Sequence, residues 1–405
     1  MGRESRSDET PTRREYLTYG SALLGSGLFA GCLGNGEETP SGSGGTTSTT
    51  DTATETASTT EGPTTESTTE TDTPRETSYS VSMVPVGDVT FEAVPETWVA
   101  NNGSWADMGI ALGQEPPAGV WLPSRYHTHY YDEIPGVSVD TSGIERLSQD
   151  GVSKERFFAI DADVHVIDPN FITNRFRWTD DDVAEIEREV GPFFANSSFS
   201  RSYPWHDDYR YYTLMEAFEK LAAVFDERER FEAFEAIHDD FQAALAPVVP
   251  GLGERPAGAV LWAGGDEPEE FYPYVIDEGT SFKHLRDLGV RDALASADVK
   301  DFHTSRGAID FETLLSVDPE VLLLRGQEAK SRDKFRDSVV SFMAEHPVAS
   351  QLTAVENGDV YRAGPLYQGP ITNLVVTERL ADELYGVDGV LFDRERVANV
   401  VNGAF

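Results

Sequence analysis

The segment RSYPWHDDYRYY, residues 201–212, carries the side chains of this sequence that are best suited to binding a ligand. It places Arg201, Tyr203 and Trp205 close together, and the spacing is too irregular to form one face of a helix. Aromatic rings bury a large apolar surface with little loss of rotamer freedom. The guanidinium group offers a planar fork to carboxylate, catecholate or hydroxamate oxygens. The combination predicts a site for a bulky, anionic or oxygen-rich chelate, in which the chelator and not the protein holds the metal.

Similar side chains follow the other predicted strands and are candidates for the same site. They are Trp105 after residues 97–102, Arg125 and Tyr126 after 119–124, Tyr272 and Tyr274 after 258–265, Arg325 after 321–324, and Tyr367 after 358–364. Each aromatic residue could instead pack within its own part of the fold. Arg125 or Arg325 could instead act as a surface counter-ion on so acidic a chain.

Motifs of the common catalytic and metal sites are missing from the sequence. It contains no glycine-rich phosphate loop, no metalloprotease histidine pair and no Gly-x-Ser-x-Gly nucleophile elbow. His127 and His129 have no carboxylate or cysteine at a familiar interval, so we expect them to form a polar lining and not a metal site. The sequence therefore predicts no catalytic residue, no metal ligand and no cofactor.

The elements that must position these residues alternate between strands and helices. Apolar runs closed by turn residues predict strands at 97–102, 119–124, 162–169 and 191–198, with a helix at 182–190. A second unit follows, with strands at 258–265, 321–324 and 358–364 and helices at 281–294, before 321 and at 373–386. Strands separated by helices predict the α/β class, with two lobes built on mainly parallel sheets.

A long helical pattern separates the two predicted lobes. No Pro or Gly occurs from Tyr211 to Ala246, and apolar residues recur at spacings of three and four. We predict a linker helix at 227–249 that is capped by Asp226, between an N-terminal lobe at 78–226 and a C-terminal lobe at 250–405. Because open parallel sheets bind ligands beyond the carboxyl ends of their strands, we expect the site in the cleft between the lobes.

The first 77 residues have the features of an export signal and a tether. Paired arginines in TRREYL precede a weakly apolar stretch that ends in LFAGC at Cys32, the only cysteine. The arginines resemble a twin-arginine signal, and LFAGC resembles a lipobox, which predicts a signal peptide at 1–32 and a lipid on Cys32. Residues 33–77 are mostly Thr, Ser, Glu, Gly and Pro, which predicts a disordered tether. The sequons at Asn102 and Asn196 are compatible with surface glycosylation.

The net charge of −39 comes from 71 acidic and 32 basic residues. Such a chain repels nucleic acid and anionic membrane surfaces, which argues against nucleic acid as a partner. The acidity extends beyond the tether and only six residues are lysine, a composition typical of proteins from high-salt organisms. In molar salt the Debye length is about 3 Å, so the self-repulsion of the chain is screened.

Four segments in order resemble the substrate-binding proteins of ABC importers for ferric siderophores, haem and cobalamin. They are ADVHVIDP, GPFFANSS, FETLLSVDPEVLLLRG and AVENGDVYRAG, and the resemblance extends over roughly residues 80–400. It implies two lobes joined by one long helix, in a lipoprotein of haloarchaeal type. The stretch at 125–160 is longer than the family pattern leads us to expect.

This resemblance implies a substrate-binding lipoprotein that is not an enzyme. It would capture an iron(III)-siderophore-like chelate in the interlobe cleft and deliver it to a membrane permease and its ATPase. We expect a monomer, lipid-anchored on the extracellular face of the cell membrane. Alternatives are the same class binding cobalamin, haem or a free metal ion, a surface-anchored hydrolase, and a structural surface-layer protein.

Overall fold

The described part of the chain begins with a hairpin that the sequence analysis did not predict. The computed structural model describes residues 78–148, 151–201, 203–206, 209–387 and 389–405. The strands β1 (Tyr79–Met83) and β2 (Gly87–Phe91) pair antiparallel, and alternate residues of both are buried. The hairpin packs on the helix Leu214–Val224. The predicted signal peptide, with Cys32, and the predicted tether lie outside the described residues.

The first sheet is parallel throughout. Its strands are β3 (Trp98–Ala100), β4 (Gly119–Val120), β5 (Glu145–Arg146) and β6 (Val164–Val166), in the order β5-β4-β3-β6. All three residues of β3 and of β6 are buried, as expected where helices cover both faces of a sheet. The predicted strand at 191–198 is wrong, because it is reduced to a single bridge between His165 and Phe193.

Most of the helices around this sheet begin at a residue whose side chain caps the helix. Asn102 and Asp168 each cap a helix through a carboxyl or amide oxygen, and Thr179 and Thr213 form capping boxes with the residues three positions on. The helices are Gly103–Ala111, Lys154–Ile160, Pro169–Phe176, Asp180–Glu189 and Leu214–Val224, and short 3₁₀ helices span Pro123–Arg125 and Thr128–Glu133.

A helix at Arg228–Leu245 lies within the range of 227–249 predicted for the linker helix, and we keep that name for it. It buries the predicted stripe of Phe231, Phe234, Ile237, Phe241 and Leu245. Asp226 does not cap it: this residue adopts a left-handed conformation with φ +53°, and the capping position is taken by Glu227 without a side-chain hydrogen bond. We call the parts of the chain before and after this helix the first and second lobes.

The second sheet is parallel except for one strand. It comprises β7 (Ala257–Trp262), β8 (Tyr272–Tyr274), β9 (Arg291–Asp292), β10 (Val321–Arg325) and β11 (Val360–Arg362). The order is β11-β10-β7-β8, with β9 also on β7, and only β7 and β8 run antiparallel. Two parallel-rich sheets with covering helices confirm the predicted α/β class.

The helices of the second lobe are mostly short. They are Lys283–Asp287, Ala293–Ser296, Phe302–Ser305, Phe311–Val317, Arg332–Phe335, Ser341–Glu345, Thr353–Asn357, Pro370–Tyr385 and Arg394–Val401, with 3₁₀ helices at Thr280–Phe282 and Ala349–Gln351 and a π-helical turn at Arg336–Val340. The single helix predicted at 281–294 is wrong. Gly289 adopts φ +72° within it, and the chain then enters β9.

Two helices of the second lobe reach back to the first. Pro370–Tyr385 packs on Gly103–Ala111 and on the 3₁₀ helix Thr128–Glu133, which belongs to the long stretch at 125–160. Arg394–Val401 lies along the linker helix and also contacts Gly103–Ala111. The lobes are therefore held together by more than the linker helix. Within the described residues, no helix combines the length and the apolar character needed to cross a bilayer.

Candidate ligand-binding cleft

Tyr203 lies where rings from both lobes meet. Its ring centroid is 6.2 Å from that of Phe171 and 5.9 Å from that of Phe199, both in the first lobe. On the other side it is 5.2 Å from the ring of His303 in the second lobe. Trp205 stacks on Tyr203 at 4.3 Å with an interplanar angle of 22°. The predicted pair Tyr203 and Trp205 thus lies at the contact between the lobes.

Two predicted tyrosines of the second lobe complete this group of rings. Tyr274, in β8, is 5.3 Å from His303, and Tyr367 is 5.3 Å from Phe199 across the lobes. Edge-to-face arrangements of this kind add about 0.5–1.5 kcal/mol per pair beyond the burial of area. We call the following residues the cleft cluster: Phe171, Phe199, Tyr203, Trp205, Tyr274, His303 and Tyr367.

The cleft cluster fills the space between the lobes in this structure. Tyr203 is 9% exposed, and Tyr274 and Tyr367 are each 5% exposed. A surface depression of about 640 Å³ lies elsewhere, lined by Glu133 and residues 390–395, and it contains no member of the cluster. That depression is lined by Glu133 of the first lobe and by residues of the second lobe that include Val390, Leu391 and Phe392. We take the cleft cluster as the candidate site because the rings of both lobes converge there on Tyr203.

Three arginines lie around the cleft cluster. The guanidinium of Arg125, a predicted site residue, lies 4.4 Å from the ring centroid of Trp262. Burial raises the pKa of Tyr367, and the charge and hydrogen bond of Arg125 act in the opposite direction. Arg175 and Arg306 were not predicted. Burial raises the pKa of Tyr203 as well, and both Arg175 and Arg306 oppose that rise, so both charges act on its hydroxyl group.

Nothing acidic in the described chain neutralises these three arginines. Among the described residues, no carboxylate lies within ion-pair distance of Arg125, Arg175 or Arg306. Burial and the neighbouring charge of Arg306 lower the pKa of Arg175. Three guanidinium groups thus lie around the cluster in a chain whose net charge is −39, and Asp301 pairs with His303 beside them.

Arg325, another predicted site residue, lies beneath the cluster at the end of β10. It is 0% exposed, and its guanidinium lies 4.5 Å from the ring of Phe282 and 5.5 Å from that of Tyr274. Its Nη2 donates to the carbonyl of Ser281 at 2.5 Å, whereas Nε and Nη1 have no partner among the described residues. Burial lowers the pKa of Arg325 to about 10. Its charge therefore sits behind the rings and does not reach the cleft surface.

Arg201 lies outside the cleft cluster. It pairs with Glu278 at 2.8 Å, and its guanidinium lies 4.7 Å from the ring of Tyr211. The neighbouring backbone joins the lobes: the amide of Thr280 donates to the carbonyl of Ser198 at 3.0 Å. The structure gives Arg201 a role in holding the lobes together and not in lining the cleft.

The remaining predicted residues lie at the edges of the cluster or in the core. Trp105 is 1% exposed in the helix Gly103–Ala111. The hydroxyl of Tyr126 is hydrogen-bonded to that of Tyr131 at 2.8 Å. Tyr272 packs on Phe302 at 5.0 Å, next to His303.

A buried carboxylate joins the two lobes beside the cleft. Asp107, 0% exposed, accepts from the hydroxyl of Tyr131 at 3.0 Å and from the amide of Thr372 at 2.9 Å. Thr372 lies in the first turn of the helix Pro370–Tyr385, where the unpaired amides and the helix dipole favour an anion. Burial outweighs these contacts and raises the pKa of Asp107 to about 6. Gly369 approaches so closely that a Cβ there would lie 2.5 Å from that of Asp107.

Both sequons are buried, which argues against the surface glycosylation with which their sequence is compatible. Asn102 and Asn196 are each 1% exposed. Asn102 caps the helix Gly103–Ala111, and the Nδ2 of Asn196 donates to the carbonyls of Val84 and Arg210 at 2.7 and 2.8 Å. A glycan on Asn196 would replace one of the two Nδ2 hydrogens that make these bonds.

The two histidines of the RYHTHYY segment lie side by side without a metal-binding set. The rings of His127 and His129 are 5.9 Å apart, and burial lowers the pKa of both, that of His127 to about 3. Among the described residues, no group of three or more His, Cys, Asp or Glu side chains is placed to hold a metal ion.

Sequence reasoning missed several cluster residues because it considered only the first residues after each strand. Phe171 lies on the helix that follows β6, as does Arg175 near the cluster. His303 lies on a short helix far from any predicted strand end, and Arg306 directly follows that helix in a left-handed conformation. Phe199 directly follows the predicted strand at 191–198 and could have been found by the rule that we used.

Comparison with known proteins finds a family and solved structures that match this chain. Residues 99–367 match the family model described as periplasmic binding protein. No curated protein matches the sequence. A periplasmic binding protein from Veillonella parvula is similar in structure, with 17% identity and a TM-score of 0.51 over 77% of this chain and 99% of that chain.

Two further solved structures share the fold. The iron uptake ABC transporter substrate-binding protein PiuA from Streptococcus pneumoniae is 15% identical, with a TM-score of 0.51 over 75% of this chain and 98% of that chain. CeuE from Helicobacter pylori, solved with Ni(II) bound, is 14% identical, with a TM-score of 0.50 over 76% of this chain and 91% of that chain. At these identities the likeness is one of fold.

Proposed function

Because this chain belongs to the periplasmic binding protein family, we propose that it is the substrate-binding protein of an ABC importer for an iron(III)-siderophore-like chelate. The family is extracytoplasmic and binds substrates without chemical turnover. In this proposal the protein acts as a monomer and passes the chelate to a membrane permease and its ATPase.

The observation that carries the proposal is the convergence of aromatic rings from both lobes on Tyr203. A pocket for a large ligand needs apolar walls with a few polar groups that fix orientation. Rings of Phe171 and Phe199 from one lobe and of Tyr274 and Tyr367 from the other provide such walls. The fold of PiuA, an iron uptake protein by its description, supports the same class of cargo.

The rings fill the cleft in this structure, so a ligand has to displace them or separate the lobes. The linker helix and the contacts of Asp107 and Arg201 oppose a wide separation. We therefore propose that the lobes open by a small amount and that Tyr203 and Trp205 move aside and then stack on the bound chelate.

The decisive experiment combines native ligand analysis with a binding assay. The absorbance spectrum and metal content of protein purified from its native membrane should show iron and a chelator. A corrin or haem spectrum would instead favour cobalamin or haem as the cargo.

For the binding assay, the probes are an iron(III) tris-catecholate and an iron(III) trihydroxamate. We expect the double variant Tyr203→Ala and Trp205→Ala to bind at least about tenfold more weakly than the parent, a loss of about 1.4 kcal/mol. Phe158, 42% exposed on the helix Lys154–Ile160, provides the control variant Phe158→Ala. If the double variant binds both probes like the parent, the site is placed wrongly.

The N-terminal part of the proposal concerns Cys32. We propose that a twin-arginine signal at 1–32 exports the chain, that Cys32 carries a lipid, and that residues 33–77 tether the protein outside the membrane. Cys32→Ser should release the protein into the medium. Retention of this variant on the membrane would contradict lipid anchoring but would leave the proposed cargo untouched.

A further inference from the structure

We propose that the first lobe contains an apolar side pocket, closed by the ring of Phe171, that receives an apolar arm of the bound chelate. This inference rests on the proposed function and narrows the class of cargo. The chelate would combine an oxygen-rich metal centre, held in the cleft, with one apolar group about the size of a phenyl ring, held in the side pocket.

A small cavity lies at the carboxyl ends of the four strands of the first sheet. Its wall includes the residue that directly follows each strand: Asn101 after β3, Trp121 after β4, Leu147 after β5 and Ile167 after β6. Open parallel sheets bind their ligands at this edge. The cavity has room for one water molecule, about 10 Å³, and apart from Asn101 its wall consists of aromatic and aliphatic side chains. An apolar group fills such a space more favourably than water does.

Phe171 separates this cavity from the rest of the cleft cluster. Toward the cavity, its ring centroid lies 5.0 Å from that of Trp121 and 5.7 Å from that of Phe176. Toward the cleft, it lies 6.2 Å from the ring of Tyr203 and 6.4 Å from that of Phe199. Among the described residues, Phe171 is the one member of the cleft cluster that also lines the cavity. A rotation of this one side chain would therefore join the cavity to the cleft.

The position of Phe171 beside a cavity makes it the ring of the cluster that can move most easily. Side chains that border a void lack contacts on one side, so less dispersion energy opposes their movement. Phe199 and Tyr367, by contrast, do not border the cavity. When Phe171 rotates away, the space of its ring adds to the cavity, and the joined space is large enough for a group the size of a phenyl ring.

Trp121 offers the side pocket a hydrogen-bond donor. Its indole Nε1 is buried and has no hydrogen-bond partner among the described residues. A buried indole N–H usually has an acceptor. A carbonyl oxygen at the base of the apolar arm would accept from this nitrogen. We therefore expect the preferred arm to be an apolar group that is joined to the chelator through an amide or an ester.

Two probes that differ in one ring test the side pocket. Both are iron(III) complexes of a linear trihydroxamate whose terminal amine is acetylated in one probe and benzoylated in the other, so their charge and their amide group are the same. Phe171→Ala removes the ring that closes the pocket, and Val152→Phe fills the pocket from a wall residue that is only half-buried. Val94→Phe, at a residue that is 41% exposed, is the matched control. Isothermal titration calorimetry in molar salt measures the dissociation constants.

We expect the parent to bind the benzoylated probe at least about tenfold more tightly than the acetylated one, because the phenyl ring is removed from water. Phe171→Ala should increase this ratio at least about threefold, since the arm no longer has to displace a ring. Val152→Phe should reduce the ratio to about one and retain the affinity for the acetylated probe. Val94→Phe should keep the ratio of the parent. Should Phe171→Ala not fold, the result for Val152→Phe decides the question by itself.

The outcomes separate the side pocket from the function on which it rests. Equal affinity of the parent for the two probes would refute the side pocket and leave the proposed function standing. An undiminished ratio in Val152→Phe would have the same meaning, because the ring would then bind elsewhere in the cleft. If the parent binds neither probe, the proposed function fails and the side pocket fails with it.

Discussion

Replacing Asp107 with Asn should remove a large part of the dependence of stability on pH between about 4 and about 6. Asp107 is fully buried between the lobes, and burial raises its pKa from 3.8 to about 6. The folded protein therefore holds this proton more tightly than the unfolded chain does. The contribution of the group is most favourable below pH about 4 and is lost as the pH rises through about 6.

The magnitude follows from the shift of about two pKa units. Each unit corresponds to 1.36 kcal/mol, and the titration is already partly under way at pH 4 in the unfolded chain. The contribution of Asp107 to the free energy of unfolding should therefore fall by about 2.4 kcal/mol from pH 4 to pH 7. An Asn side chain can still accept from the amide of Thr372 and can donate to Tyr131, but it does not titrate. The variant should lack this fall.

Urea denaturation at constant high salt measures the free energy of unfolding of the parent and of Asp107→Asn from pH 4 to pH 7. Other carboxylates titrate in the same range, so the difference between the two proteins at each pH is the relevant quantity. Asp239→Asn, at a side chain that is 78% exposed on the linker helix, controls for the loss of one negative charge. Parallel pH profiles of the parent and Asp107→Asn would refute the reasoning.

Three further predictions concern the same interface and the buried sequons. Gly369→Ala should destabilise the protein by about 1–3 kcal/mol, because the new Cβ would lie 2.5 Å from the Cβ of Asp107. The control is Gly143→Ala, whose Cβ would meet no atom within 4 Å and which should change the stability by less than about 0.5 kcal/mol. Equal losses of stability in the two variants would contradict this account. Tyr131→Phe should cost about 1–3 kcal/mol in the same denaturation assay, since a buried carboxylate loses a donor; an unchanged midpoint would show that the bond contributes nothing. Mass spectrometry of the native protein should find Asn102 and Asn196 unmodified, and a glycan on either would contradict their burial.

Local patterns predicted the elements whose signals lie within one segment. The stripe from Phe231 to Leu245 predicted a helix, and the same residues are buried on it. The segment FETLLSVDPEVLLLR predicted a helix followed by a strand, observed as Phe311–Val317 and β10. Prediction failed where the outcome depends on a partner elsewhere in the chain. Residues 191–198 have the composition of a strand, but only Phe193 finds a neighbouring strand to pair with.

The candidate site likewise contains residues that the sequence predicted and residues that it did not. Tyr203, Trp205, Tyr274 and Tyr367 were predicted from their types and their places after strands, and the structure brings them together. Arg201 has the same sequence signal as Tyr203, yet its side chain turns to Glu278. Which of two neighbouring residues faces a cleft depends on backbone direction and on nearby charges, and neither can be read from spacing.

The sequence by itself determined the class of the fold, the linker helix, the acidic character of the chain and the aromatic segment, because periodicity, composition and turn residues act over short distances along the chain. Only the tertiary structure decided that Asp107 meets the start of a helix more than 260 residues later and that rings from both lobes converge on Tyr203. Such pairings join segments that are distant in the chain, and the free energy of that packing depends on surfaces that no single segment contains.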